Sequence, residues 1–170
     1  MSARALIVAA LLLGACAGGE RGLDALHADI RDDYPGVAHV QASAVPDGAV
    51  LLDIREPEEF AVSRLPGAVR VDMDAGAADV LARIGDVGGR DVVVYCSVGR
   101  RSSIFAQAVQ DELLASGAAS VRNLEGGVFR WHAERRPLEN AKGRTDAVHP
   151  YDEIWRRYVP RQDGVSYAPL

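Results

Sequence analysis

Asp91–Tyr95, DVVVY, narrows the possible folds more than any other stretch of the chain. Three consecutive valines leave it without a polar face, and Gly88-Gly89 breaks the chain just before it. A run this short and this uniformly apolar fits a strand buried on both faces, as in the middle of a parallel sheet. A small basic loop follows, Cys96-Ser97-Val98-Gly99-Arg100-Arg101-Ser102. Ile104, Phe105, Ala108, Val109 and Leu113 then recur at helical spacing as far as Gly117. The spacing predicts a helix over 102–116. A buried strand that runs through a tight loop into a helix calls for parallel neighbours joined by crossovers.

The rest of the chain supplies such neighbours. Leu23, Leu26 and Ile30 predict a short helix that Pro35-Gly36 stops, and 37–40 reads as a weak first strand. The run 49–54 (AVLLDI) reads as a second buried strand, and Glu56 to Ser63 as one or two helical turns with Pro57 in the first. A short strand at 68–71 comes after Pro66-Gly67, and Asp74 is the expected N-cap of a helix over 75–84. A last strand at 121–124 and a helix over 127–136 close the pattern. The order predicts an α/β fold, an open parallel sheet of about five strands with helices on both faces. At 170 residues the chain suits one ordinary domain with short extensions.

Beyond Pro137, 139–147 is polar and reads as loop. Tyr151, Ile154, Trp155 and Tyr158 stand at i, i+3, i+4 and i+7, with Asp152 and Glu153 in the first turn, Arg156 and Arg157 in the last and Pro160 beyond. This predicts an amphipathic helix docked on its own domain, or else on a partner. The four histidines, His27, His39, His132 and His149, are scattered without ligand spacing, which predicts no metal site. No cofactor is expected either.

The first residues read as a targeting segment. A short basic start precedes the apolar run 5–13 (ALIVAALLL), which is too short to span a bilayer as a helix. Leu13-Gly14-Ala15-Cys16 resembles the bacterial lipoprotein box. That resemblance implies a signal peptide over 1–15, a lipid on Cys16, a flexible tether to residue 22 and a domain over 23–138, followed by an extension over 139–170. The protein is then a periplasmic lipoprotein anchored to the membrane, by its lack of Asp at position 17 the outer one. Cleavage at Ala15-Cys16-Ala17 as a small-x-small site would instead release it soluble into the periplasm.

On either reading Cys96 keeps no internal disulfide partner, since the chain has two cysteines and the other is Cys16. A lone thiol in an oxidising compartment is a liability unless its reactivity is useful. Cys96 stands at the carboxyl end of the central strand and just ahead of a helix, where parallel sheets bind ligands. Loop amides, the helix N-terminus, Arg100 and Arg101 all favour its anionic form. Gly99 lets the loop curl. The predicted site is an anionic sulfur nucleophile inside an anion-binding cradle, suited to thiosulfate, phosphate or arsenate. The net charge of −5 argues against nonspecific nucleic-acid binding, so the attraction for anions must be local.

Four segments carry a resemblance to the single-domain rhodaneses: 51–60 (LLDIREPEEF), 65–68 (LPGA), 96–102 (CSVGRRS) and 124–127 (LEGG) with Val128 and Trp131. Together they span about 37–138 in order. Ser63-Arg64 replaces the Gly-His that the family often shows before the turn matched by 65–68 (LPGA). The resemblance implies a thiosulfate sulfurtransferase. Cys96 attacks the outer sulfur of the donor, sulfite leaves, and a thiol or cyanide takes the sulfur from the resulting persulfide. It implies roles for Cys96 and Arg101 in catalysis, and for Ser97, Val98, Gly99, Arg100, Ser102, Arg55 and Asp53 around the substrate. Asp53 and Arg55 also suit a structural ion pair, and Trp131 a packing role. A phosphatase or arsenate reductase needs Cys-x5-Arg, whereas Cys96 to Arg101 is one residue shorter. A persulfide carrier or sensor that delivers sulfur to a protein partner is the other alternative.

Overall fold

The computed structural model describes residues 22–170. The expected targeting signal over 1–15 and the expected lipidation site Cys16 lie outside the described residues. No described helix is long and apolar enough to cross a membrane.

Helix α1 covers 22–33. The sheet strands are β1 (Ala38–Val40), β2 (Val50–Asp53), β3 (Val69–Arg70), β4 (Asp91–Tyr95) and β5 (Ser120–Leu124). They form one parallel sheet in the order β1-β5-β4-β2-β3, so the valine-rich strand is central, as its composition requires. Helices α2 (Pro57–Val62), α3 (Ala77–Ile84), α4 (Arg100–Ala115) and α5 (Gly127–Ala133) connect and cover it.

Strand periodicity sorts the core into two layers. Val92, Val94 and Cys96 point to the face covered by α3 and α4, where Val80, Phe105, Val109 and Leu113 meet them. Val93 and Tyr95 point to the other face, packed against Leu23 of α1 and Val128, Phe129 and Trp131 of α5. Trp131 is a packing residue whose indole N–H donates to Pro137 O at 2.8 Å.

Several boundaries differ from expectation. Helix α4 begins at Arg100, so both arginines stand in its first turn and the loop shrinks to 96–99. The N-cap of α3 is Gly76, not Asp74; the Asp79 carboxylate reaches back to the Gly76 N–H at 3.0 Å and satisfies it. The region expected to be loop forms a hairpin of β6 (Leu138–Asn140) and β7 (Gly143–Thr145). Its outer edge exchanges both backbone hydrogen bonds between Arg64 and Glu139. Helix α6 is a single turn, Glu153–Arg156, capped by Asp152 accepting from the Trp155 N–H at 2.8 Å. The expected stripe is therefore not one helix face. Tyr151 lies before α6 at φ +73°, and Ile154 is exposed, while Trp155 and Tyr158 pack on the α5-side core.

The last residues are stitched down further. Val148 and Val159 join the α5-side core. Val148 N donates to Gly164 O, and Ser166 N to Val148 O. Arg161, nearly buried, pairs with Asp146 and Asp163 beside His132. Three of the four histidines, His27, His132 and His149, are buried, which makes them structural. No group that could hold a metal ion occurs among the described residues.

Candidate active site

Cys96 is the first residue past the carboxyl end of β4 and is a free thiol, 1% exposed. The chain turns at Gly99 (φ +104°), a conformation that disfavours a side chain, and there the Gly99 N–H points back at Cys96 Sγ at 3.2 Å. Ser102 Oγ lies 3.5 Å from Sγ and 2.6 Å from Asn123 Oδ1. Its single proton can serve one of these acceptors at a time. The sulfur thus sits before the N-terminus of the longest helix, with a backbone donor and a hydroxyl within reach.

The cradle is held from three sides. Buried Asn123 of β5 donates to Gly99 O at 3.1 Å and to Ser103 Oγ at 2.9 Å, fixing the turn against α4. The first amides of α5 donate to the loop carbonyls, Val128 N to Cys96 O at 2.9 Å and Phe129 N to Ser97 O at 3.1 Å. Gly127 allows this approach: at φ +56°, a Cβ there would run into the carbonyls of Cys96 and Ser97. Beneath the turn, His27 and His39 meet edge to face, and His27 Nδ1 accepts from the Gly126 N–H. Burial, followed by the neighbouring His39 and Arg31, lowers the His27 pKa to about 4, and burial lowers that of His39 as well.

Arg101 does not stand free. Both its terminal nitrogens reach the Glu59 carboxylate at 3.0 Å, and NH2 also donates to Ser97 Oγ, which itself donates to Glu59. Burial opposes the Glu59 charge, but the Arg101 hydrogen bonds and charge more than offset it and hold this carboxyl below its ordinary range. Arg100 reaches Asp33 of α1 at 3.0 Å on the surface.

Asp53 and Arg55 are not at the pocket. Both are 0% exposed and form a multidentate pair behind it, with Arg55 also donating to Ser63 O and lying over the Tyr95 ring. Their expected contact with substrate is corrected to the structural ion pair. Burial works against the Arg55 charge, but Asp53 more than compensates and raises its pKa. The pair anchors the carboxyl ends of β2 and β4, from which the loop springs.

A cavity of about 210 Å³ opens above Cys96, lined by Cys96, Ser97, Val98, Arg100, Arg101 and Ile104, and by Tyr151 and Trp155 from beyond the hairpin. The Arg101 guanidinium lies 4.8 Å from the centre of the Tyr151 ring, a cation–π contact that ties this segment to the cradle. Of the expected site residues, Cys96, Ser97, Val98, Arg100 and Arg101 line the cavity, and Gly99 and Ser102 serve the sulfur from behind. Sequence reasoning missed Asn123, Ile104, Tyr151 and Trp155 as site residues, and the role of Glu59. Only the aromatic spacing at 151–158 signalled any of them.

The family model of the rhodanese-like domain matches residues 38–134, more than half of the chain. The chain belongs to this family. A sulfurtransferase of Allochromatium vinosum is 33% identical over 104 residues, covering 61% of this chain and 90% of that protein. The thiosulfate sulfurtransferase GlpE of Pseudomonas putida is 33% identical over 100 residues, covering 59% of this chain and 84% of that protein. Some other curated relatives are much longer, and the chain spans 20% or 17% of their length. The fold of the rhodanese-like domain is shared with a thiosulfate sulfurtransferase structure from Pseudomonas aeruginosa, with a TM-score of 0.54 at 22% identity, covering 81% of this chain and 26% of that one. Sulfur transfer is the activity in the names of these relatives.

Proposed function

We propose that this protein moves sulfane sulfur from thiosulfate or a similar donor to a thiophilic acceptor through a persulfide on Cys96. The observation that carries this reading is the Gly99 N–H aimed at Cys96 Sγ ahead of α4, on the floor of an open cavity. A donor and preorganised dipole at that point stabilise negative charge on the sulfur before attack and on the persulfide after it. In the first step Cys96 Sγ bonds to the outer sulfur of thiosulfate, the sulfur–sulfur bond of the donor breaks, and its electron pair departs with sulfite. In the second step an acceptor such as cyanide or a thiol attacks the outer sulfur, and the pair returns to Sγ.

Arg101 acts here chiefly by position. Locked to Glu59, it holds Ser97 and adds a fixed positive charge beside the nucleophile. Arg100, on the cavity rim, is the cation left to meet the oxyanion of a donor. Incubation with thiosulfate, followed by intact-protein mass spectrometry, tests the reading: the wild type gains one sulfur and Cys96→Ser gains none. An unmodified wild type overturns it.

We also propose, from the sequence of 1–16 alone, that the domain is exported and held at a membrane by a lipid on Cys16. The mass of the mature N-terminal peptide from a bacterial host tests this. A diacylated Cys16 supports anchoring, and an unprocessed Met1 refutes export.

A further inference from the structure

The cavity above Cys96 presents more apolar lining than thiosulfate needs. Val98, Ile104, Tyr151 and Trp155 supply its apolar lining. Arg101 is engaged with Glu59 and with the Tyr151 ring, which leaves Arg100, paired only at the surface with Asp33, as the lining cation for a donor's oxyanion. A small dianionic donor would use this cation and the loop amides and leave the apolar lining unused.

The aromatic wall is a positioned element. Tyr151 is held in the left-handed region with its N–H donating to His149 Nδ1 at 3.0 Å, and His149 is itself buried and meets the Tyr167 ring edge to face. A bulky residue in that region signals a conformation the surroundings impose. Trp155 follows the Asp152 cap and packs on the α5-side core beside Tyr158. Ile104 and Tyr151, which both line the cavity, are each 43% exposed. The volume, about 210 Å³, exceeds the ~150 Å³ that accepts a benzene molecule in an engineered apolar cavity.

We propose that the acceptor of the Cys96 sulfur is a small organic thiol bearing an apolar, ring-sized group, and that Tyr151 and Trp155 select it. The proposal rests on the sulfur-transfer reading above. The acceptor thiol R–SH passes its proton to the outer sulfur of the anionic Cys96 persulfide as its own sulfur bonds there, the bond from that outer sulfur to Sγ breaks, and its electron pair stays on Sγ. The products are R–S–SH and the Cys96 thiolate, with no net oxidation and that proton on the transferred sulfur. The apolar group rests between Ile104, Tyr151 and Trp155 while its sulfur faces Cys96.

The test uses the full chain, loaded with thiosulfate and verified by mass to carry one sulfur. Unloading is then timed with benzyl mercaptan and with ethanethiol, two primary alkyl thiols that differ mainly in the ring. The wild type unloads to benzyl mercaptan at least about tenfold faster, the discrimination expected of a fitted apolar pocket. In Tyr151→Ala the ratio of the two rates falls toward one, and in Trp155→Phe it is largely kept. Thermal melting of both variants establishes that they are folded. Equal rates in the wild type, or an unchanged ratio in folded Tyr151→Ala, overturn the proposal and leave sulfur transfer standing. Failure of the wild type to load at all overturns both.

Discussion

The sulfur cradle and the aromatic wall face each other across one cavity, yet they are built in different ways. The cradle is local. Cys96, Gly99 and the first turn of α4 lie within a few residues, and a single tight turn brings the donor to the sulfur. The wall is assembled from afar: Tyr151 and Trp155 reach Cys96 only because the hairpin, buried Val148 and the Arg161 contacts bring the last residues back over the domain. On the reading proposed above, a short motif specifies the reaction, while the acceptor it serves is selected through tertiary packing. Substitutions in the cradle should damage chemistry or stability, and substitutions in the exposed part of the wall should alter selectivity alone.

The contrast is tested most severely at the nucleophile. Cys96→Ser lowers sulfur transfer to cyanide by about 10³-fold or more while the melting temperature stays near that of the wild type. Next in size is Gly127→Ala. A methyl group at φ +56° strains the backbone and collides with the carbonyls of Cys96 and Ser97, which costs about 3 kcal/mol in denaturant unfolding.

Glu59→Gln breaks the charge pairing that holds Arg101 and Ser97 and costs about 2 kcal/mol at neutral pH. It also has a pH signature. The folded pKa of Glu59 lies below its ordinary 4.5, so the pair stabilises the fold above that pH and is lost as pH falls through the lower folded value. Melting temperatures measured down through pH 4.5 therefore fall more steeply for the wild type than for Glu59→Gln.

His27 has the same sign from the opposite charge type. Its folded pKa is about 4 against 6.5 when exposed, so between those values the unfolded chain takes up a proton that the fold refuses. Stability falls across that interval as pH drops, and His27→Gln flattens that part of the curve. The smallest stability effect is expected on the wall. Tyr151→Ala changes unfolding free energy by less than about 1 kcal/mol, because the ring is 43% exposed.

The same contrast explains what could be read in advance. The parallel sheet, its helices and the Cys96 loop follow from DVVVY and the periodic run after it, because burial on both faces and helical spacing leave direct marks on composition. Asn123 left no mark: it is one polar residue in a short strand, and only the closeness of β5 to α4 gives it Gly99 and Ser103 as partners. Strands β6 and β7, Leu-Glu-Asn and Gly-Arg-Thr, carry too little apolar alternation to be told from loop. The aromatic spacing at 151–158 suggested one helix face, but the Asp152 cap starts the helix after Tyr151, which frees that ring to turn toward Arg101. Asp53 and Arg55 carried charges that suited a binding role, and their complete burial assigns them to the scaffold.

Sulfur transfer through Cys96 is the claim on which the rest depends. Intact-protein mass spectrometry after thiosulfate treatment, with peptide mapping, tests it directly. One added sulfur located on Cys96, removed again by cyanide and absent from Cys96→Ser, is the predicted result. No added sulfur, or the same gain in Cys96→Ser, would contradict it.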